Sequence, residues 1–481
     1  MFNEIPDLDI VGRRAARGAV LSVLRFGFPF VLGISASIVL TKILVPSQFG
    51  VYAVFGTLTP MLGILIGSVA AAFVAARHFT AEDINAVFWT MEAASISIGG
   101  VIVASGLAGA AGNITVNRLL VTLGVFLPLI PLRFPADISF YRQVRMDKLA
   151  LVEGSEILAY QGVAVACAFA GLGSLSFGIA LDAGALTAVV VNFSMARWRP
   201  QRPAFAGSAH WLKIGFPYML NNGLGYAKDR GSFVLLAAVA GATVVGLFSW
   251  AYTAAMVIVT LTLLATQGLY GLFVQIRDDR EAVGRVVSLV LRLIAVGIFG
   301  FSACLAGSIR PLITTVFSPL WLPATHSFWF LLIASSMMSL AAPLQYLAAA
   351  DGHVHSMNRW LVAQMAIIWI IGIPAAIISG PGGFALCFAF GAFSFLLLIY
   401  RSTAARYPVE ALANIILVAA AGIVAAVSGF AVANSLGENW LSLFASAGTS
   451  LLVFSALILS WRRRQLFEDT GIVFGLIRHK A

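Results

Sequence analysis

Long apolar segments that alternate with short polar ones are the dominant pattern of this chain. A helix needs about 20 apolar residues to cross the hydrocarbon core of a membrane, and fourteen segments come close to that length or exceed it. They lie at about residues 20–41, 51–76, 86–110, 119–139, 149–170, 177–196, 211–239, 245–274, 286–308, 326–350, 360–379, 384–400, 411–433 and 440–461. The pattern therefore predicts an all-α polytopic membrane protein with about fourteen transmembrane helices.

The composition agrees with this prediction and excludes several classes of protein. Of the 481 residues, 60% are hydrophobic and 10% are charged, whereas a soluble domain has about 25% charged residues. The loops are too short for a separate soluble domain, and no GxxxxGK[ST] phosphate-binding loop is present. The net charge is +10, but the basic residues do not cluster with aromatic ones as in nucleic-acid-binding proteins. We expect no enzyme, no cofactor, no metal and no nucleic-acid partner.

The basic residues indicate how the chain is oriented in the membrane. If the N-terminus is cytoplasmic and the spans alternate, 21 of the 30 lysines and arginines fall in cytoplasmic segments and 3 fall on the opposite side. Cytoplasmic loops of membrane proteins carry such an excess of positive charge. The asymmetry predicts an even number of spans with both termini in the cytoplasm.

The chain also repeats itself. Residues 24–30 (LRFGFPF) resemble residues 212–218 (LKIGFPY), which lie 188 positions later, and Gly50 at the start of the second span corresponds to Gly246, 196 positions later. We therefore predict two parallel six-helix bundles around a central cavity. The bundles would comprise residues 1–200 and 201–405, and residues 406–481 would add two helices and a basic cytoplasmic tail.

Several ionisable residues lie inside apolar segments, where they are costly and usually face the bundle interior. The candidate cations of the cavity are Arg25, Lys228 and Arg230, and the candidate coupling or ion-pair residues are Asp229, Glu153 and Glu156. A purely structural ion pair is the alternative for the cluster at 228–230. A proton relay and a packing role both remain open for the two glutamates.

Two matching pairs of residues could let the leading helices bend. Gly27 and Pro29 in the first span correspond to Gly215 and Pro217 in the seventh. Proline removes a backbone donor and is tolerated in membrane helices where neighbours satisfy the freed groups. We interpret these four residues as hinges.

Two local motifs resemble those of a known transporter family. Residues 41–53 (TKILVPSQFGVYA) are similar to the "R-x-L-x-P-x-x-[FY]-G-x-[YW]" signature of the polysaccharide transporters, and residues 229–230 with 240–248 are similar to the block that opens their second half. Lys42 and Phe248 depart mildly from the family pattern, which prefers arginine and tyrosine there. These transporters are lipid-linked oligosaccharide flippases of the multidrug/oligosaccharidyl-lipid/polysaccharide exporter superfamily.

The resemblance implies a function, a location and a set of partners. The cargo would be an oligosaccharide on undecaprenyl pyrophosphate, moved by alternating access across a bacterial inner membrane during surface polysaccharide biosynthesis. Membrane lipids would be partners, and polymerase and chain-length proteins of the same pathway are candidates. The alternatives are a multidrug extrusion antiporter of the same superfamily, which would need a mostly acidic cavity, and an integral-membrane sugar polymerase, which generally has a sizeable periplasmic loop.

The predicted topology can be tested with reporter fusions. Fusions after Arg145, Arg280 and Arg464 should report the cytoplasm, and fusions after Gly112, Ala242 and Gly437 should report the opposite side, because the arginine clusters carry the orientation signal. A non-cytoplasmic signal at Arg464 would contradict the count of fourteen spans.

Overall fold

The computed structural model describes residues 27–478 except residues 77, 144, 197 and 267. Within that range, only the backbone is described for residues 58–62, 65, 66, 75, 221, 224, 228, 229, 354, 355 and 462–478.

Helices account for most of the described residues. We number them α1 Gly27–Ile43, α2 Pro46–Ala75, α3 Ala81–Leu107, α4 Ile114–Leu129, α5 Phe134–Arg142, α6 Met146–Phe169, α7 Leu175–Met195, α8 Ser208–Ala255, α9 Val257–Thr266, α10 Leu269–Ile276, α11 Arg280–Val316, α12 Thr325–Ala350, α13 Val354–Ala366, α14 Gly372–Ala404, α15 Leu412–Leu436 and α16 Trp440–Arg478. Short 3₁₀ turns cover Pro131–Arg133 and Pro319–Ala324, and a π-helical turn covers Ile367–Ile371.

Polar residues in the connections fix several helix starts. Thr80 and Asp83 form a capping box at α3, in which the Thr80 hydroxyl accepts from the Asp83 amide at 3.1 Å and the Asp83 carboxylate accepts from the Thr80 amide at 2.8 Å. The side-chain oxygens of Asn113 and Asp279 accept hydrogen bonds from backbone amides in the first turns of α4 and α11. Such caps satisfy the amides that the first helical turn leaves without partners.

The helices have the length and composition of membrane spans. Ten helical stretches in the described part of the chain are long and apolar enough to cross a membrane. One of them, Ser356–Ala404, has 49 residues, or about 74 Å of helix at 1.5 Å per residue. It is interrupted at Gly380, whose φ of +64° is non-helical, and Pro381 follows. The all-α membrane fold is confirmed, and the count of fourteen spans stays a prediction.

The described chain divides into two compact units, with the division after Gly246. The predicted boundaries at residues 200 and 405 concern repeats in sequence and topology, which are a different division of the chain. They stay a prediction.

In the first unit, α6 packs on α7, α3 on α4, and α4 on α7. The connection from α7 to α8 is attached to α3 by side-chain hydrogen bonds. The Asn85 amide donates to the Arg202 carbonyl at 2.9 Å and accepts from the Gln201 amide at 3.3 Å, and the Trp89 indole donates to the Gln201 carbonyl at 2.9 Å. This connection is therefore a strap fixed to α3.

Helix α2 runs antiparallel to α8 along most of its length. Near the end of α2, the Phe73 ring stacks on Trp211 with centroids 4.0 Å apart. Near the start of α2, the backbone of Gly50 packs directly on that of Gly246. Within α8 the one non-helical residue is Gly241, with φ +83°. Helix α8 therefore changes direction just before the residues that meet the start of α2.

In the second unit, small residues let α11, α15 and α16 pack closely. A Cβ atom added to Gly429 of α15 would lie 2.7 Å from the Ser446 carbonyl oxygen, and one added to Gly307 of α11 would lie 2.5 Å from the Ser450 hydroxyl. Close approach of this kind is how helices associate in lipid, where burial of apolar surface gives no driving force.

A polar cluster lies between the ends of α12 and α14 in this unit. The Tyr407 hydroxyl donates to the Asp351 carboxylate at 2.9 Å, and Arg406 pairs with the same carboxylate at 3.4 Å. Burial and, to a smaller extent, the hydrogen bond to Asp351 raise the pKa of Tyr407. This cluster joins the two connecting segments.

Arg142 closes the C-terminal end of α2. Its guanidinium donates to the carbonyl oxygens of Phe73 at 3.2 Å and Ala76 at 2.8 Å, and it lies over the Phe79 ring with 4.7 Å to the centroid. The last carbonyls of a helix have no partner within the helix, so Arg142 supplies donors that α2 itself lacks.

The contribution of Arg142 can be measured against a nearby arginine. Arg142→Ala should lower the free energy of unfolding in detergent by about 2 kcal/mol, the range for hydrogen bonds to charged groups. Arg145 is the matched control, because it pairs at 2.9 Å with Asp147, whose side chain is 50% exposed. Arg145→Ala should cost less than about 1 kcal/mol. Equal losses in the two variants would contradict the assigned role of Arg142.

Candidate transport site

The structure describes only some of the predicted cavity cations. Arg25 lies outside the described residues. Lys228 and Asp229 lie within α8, and their side chains are likewise outside the description. Arg230 is described and half-buried, and its guanidinium lies over the Phe233 ring with 5.3 Å to the centroid. Stacking on an aromatic face is a favourable way to hold a guanidinium away from water.

Arg230 shares one face of α8 with two other polar residues. Asn222, Tyr226 and Arg230 are four residues apart in sequence, so they lie one above the other on the helix. Asn222 donates to the Ser68 hydroxyl at 3.3 Å, and the Tyr226 hydroxyl donates to the Gly56 carbonyl at 3.4 Å. This polar face of α8 (Asn222, Tyr226 and Arg230) is therefore turned toward α2.

A second polar group joins four elements of the first unit. Arg133, at the end of the 3₁₀ turn, forms an ion pair of 2.6 Å with Glu156 of α6 and lies 3.9 Å from Asp137 of α5. Asn192 of α7 donates to the other Asp137 oxygen at 3.2 Å. Arg133 and Glu156 are only 21% and 29% exposed. Their pairing offsets the cost of placing two charges in a medium of low dielectric.

Aromatic residues form a third group in the same unit. The Tyr160 hydroxyl donates to the Tyr52 hydroxyl at 2.6 Å, and the Tyr52 ring stacks on Phe177 with centroids 3.8 Å apart. These residues line a cavity of about 160 Å³, which also reaches Thr122. A larger cavity of about 300 Å³ is lined mainly by apolar residues, among them Met91 and Phe216.

Comparison with known proteins identifies the kind of transporter. Residues 39–326 match the family described as "Polysaccharide biosynthesis protein". The chain belongs to this family. It is also 23% identical over 371 residues to the lipopolysaccharide biosynthesis protein WzxC of Escherichia coli (strain K12), which covers 75% of this chain and 73% of the relative.

Solved structures show the same fold. The lipid II flippase MurJ in an inward closed conformation superposes with a TM-score of 0.73 at 13% identity, covering 93% of this chain and all of that one. An inward-facing multidrug resistance MATE family transporter superposes with a TM-score of 0.57 at 13% identity, covering 81% of this chain and 98% of that one. The predicted membership of the polysaccharide transporters of the multidrug/oligosaccharidyl-lipid/polysaccharide exporter superfamily is confirmed.

The predicted hinge residues occupy different environments in this transporter. Gly27 and Pro29 lie at the start of α1 and are half-buried. Gly215 is buried, and a Cβ atom there would lie 2.9 Å from Val69 Cγ2. Pro217 is exposed, and the backbone of α8 stays helical around it. Gly215 is therefore a close contact with α2, and the hinge role of all four residues stays a prediction.

Arg133, Tyr52 and Tyr160 are not among the site residues that the sequence predicts. Arg133 lies near the end of an apolar segment, where a long basic side chain commonly extends to the membrane surface. Tyr52 occupies the aromatic position of the family signature, so that motif could have identified it. Nothing in the sequence relates Arg133 to Glu156, because the two are brought together by packing of the 3₁₀ turn on α6.

The ion pair between Arg133 and Glu156 can be tested with a double-mutant cycle. Arg133→Leu should lower the free energy of unfolding by about 3 kcal/mol, because it leaves Glu156 unpaired in an apolar environment. Adding Glu156→Leu should recover most of that loss. Unfolding in detergent measures all three variants. A double variant as unstable as the sum of the two single variants would contradict the pairing.

Proposed function

We propose that this transporter flips an oligosaccharide linked to undecaprenyl pyrophosphate from the cytoplasmic to the periplasmic leaflet of a bacterial inner membrane. The observation that carries the proposal is the family match, which includes α2 and the polar face of α8 with Arg230. The fold supports it, because it is shared with a flippase of another lipid-linked precursor. The pathway would be biosynthesis of a surface polysaccharide.

The charge of the cargo sets the main requirement for such a site. A diphosphate cannot cross hydrocarbon without partners, and charge-assisted hydrogen bonds from cations stabilise it directly. We assign this role to Arg25, Lys228 and Arg230, with Asp229 pairing to one of them when the site is empty. The stacking of Arg230 on Phe233 supports the assignment, because it orients the guanidinium on the face of α8 that is turned toward α2.

Glu153 and Glu156 have separate roles in this proposal. Glu156 holds the α6 side of the first unit through its ion pair with Arg133. Glu153 lies one turn before Glu156 on the same helix and is half-buried. We assign it to proton coupling. An ion gradient, or the removal of product, would then drive the cycle.

Movement would come from two parallel bundles that alternate between inward-open and outward-open forms. Gly27, Pro29, Gly215 and Pro217 would provide bending in the leading helices. Both termini would lie in the cytoplasm, and the polymerase and chain-length proteins of the pathway would take over the flipped product.

The test of the cargo site uses alanine variants at matched membrane levels. Arg25→Ala, Lys228→Ala and Arg230→Ala should each reduce surface polysaccharide about tenfold, as expected for the loss of a charge-assisted hydrogen bond worth about 1.5 kcal/mol. Arg230→Lys should reduce export more than Lys228→Arg, because only arginine binds phosphate oxygens bidentately. Lys213→Ala, at an exposed position near the start of α8, is the control and should export normally.

The material that accumulates distinguishes the alternatives. Lipid-linked units trapped on the cytoplasmic side of a deletion strain support a flippase, whereas single units displayed outside indicate a polymerase. Normal surface polysaccharide with increased drug sensitivity indicates a drug exporter. Wild-type export by all three alanine variants would contradict the cationic site, and loss of these variants from the membrane would assign the cations a structural role.

A further inference from the structure

The start of α2 and the segment of α8 that follows Gly241 meet without intervening side chains. A Cβ atom added to Gly50 would overlap the Ala242 carbonyl oxygen and lie 2.6 Å from its carbonyl carbon. A Cβ atom added to Gly246 would overlap the Pro46 carbonyl oxygen and lie 2.6 Å from the Pro46 carbonyl carbon. Only glycine fits at either position, so the two backbones are in direct contact.

The contact is reciprocal. Gly50 faces Ala242 and Gly246 faces Pro46. A Cβ atom added to Gly50 would also lie 2.9 Å from the Gly246 amide nitrogen, and one added to Gly246 would lie 3.1 Å from the Gly50 amide nitrogen. The repeat relates these residues in pairs, because Pro46 and Ala242 are 196 positions apart, and so are Gly50 and Gly246. A contact in which residue i meets j and j meets i is what a two-fold axis produces. The pseudo-two-fold axis of the repeat therefore passes between Gly50 and Gly246.

The direction of each glycine hydrogen adds a weak attraction. A built Cβ atom occupies the direction of one Cα hydrogen, so each glycine directs a C–H group at the carbonyl oxygen of the opposite segment. Cα–H···O contacts of this kind recur where membrane helices approach closely, and each contributes little. The contact is therefore tight in geometry and weak in energy, and it can separate without breaking an ion pair.

We propose that the reciprocal contact of Gly50 with Gly246 closes the transport path between α2 and α8 at the outer side of the membrane, and that it separates in the outward-open state. The inference rests on the proposed function, and its position relies on the predicted topology, in which α2 begins on the outer side. A side chain at either glycine prevents the backbones from meeting and favours the open state.

The experiment measures access from outside to a thiol beneath the contact. Thr57 is buried on the Gly50 face of α2, about 10 Å further along at 1.5 Å per residue. Thr57→Cys in a background lacking Cys167, Cys304 and Cys387 provides the reporter. A membrane-impermeant maleimide is added outside intact spheroplasts. Gly50→Ala and Gly246→Ala should each raise the labelling rate at least about tenfold, as overpacking of this size shifts a two-state equilibrium.

The controls are glycines on the same helices with open surroundings. A Cβ atom at Gly67 of α2 or Gly225 of α8 has no described atom within 4 Å, so Gly67→Ala and Gly225→Ala should leave the labelling rate unchanged. Each single variant already disrupts the one contact that the two glycines share. The double variant Gly50→Ala/Gly246→Ala should therefore label no faster than the faster single variant. Independent effects that multiply, or no increase in either single variant, would overturn the proposal.

A measurement on the unaltered protein tests the proposal even if the glycine variants fail to fold. Amide hydrogen exchange at residues 46–53 and 242–249 should show one shared opening rate, because both segments are released together. Opening rates that differ by more than about tenfold between the two segments would overturn the proposal. Neither labelling nor exchange involves cargo. If the proposed cargo is wrong, both results are still expected. If the glycine contact does not close the path, neither result is expected.

Discussion

In lipid, helices gain nothing by hiding apolar surface from one another, so α2 and α8 depend on close backbone approach and a few hydrogen bonds. Their antiparallel packing runs from the stacked Phe73 and Trp211 rings to the glycine contact at Gly50. The polar face of α8 lies between these two ends and is directed at α2. Any movement that opens this pair also changes the surroundings of Arg230.

Three arginines of the first unit differ in their surroundings. Arg133 and Arg142 are engaged by protein groups, the first by Glu156 and the second by carbonyl oxygens at the end of α2. Arg230 lies over the Phe233 ring, on the face of α8 that is turned toward α2. The first two arginines hold the fold, and Arg230 is the one that we propose for contact with an anionic cargo.

The glycine contact joins two segments that the sequence repeat relates to each other. Gly50 and Gly246 are equivalent in the sequence repeat, and each packs on the backbone of the segment that contains the other. The interface requires no charge and no large side chain. Separation of the two backbones would therefore expose no charge and no large apolar side chain, which suits the opening that we propose for this contact.

The amino-acid sequence by itself determined the membrane helices, the internal repeat and the family, because apolar periodicity and short motifs are local properties. It also identified Gly50 and Gly246 as equivalent. Only the tertiary structure decided that these glycines touch, that Arg133 pairs with Glu156, and that Gly215 packs on Val69. Each of these contacts joins residues on different elements. Such pairings depend on how the helices pack, which no local pattern encodes.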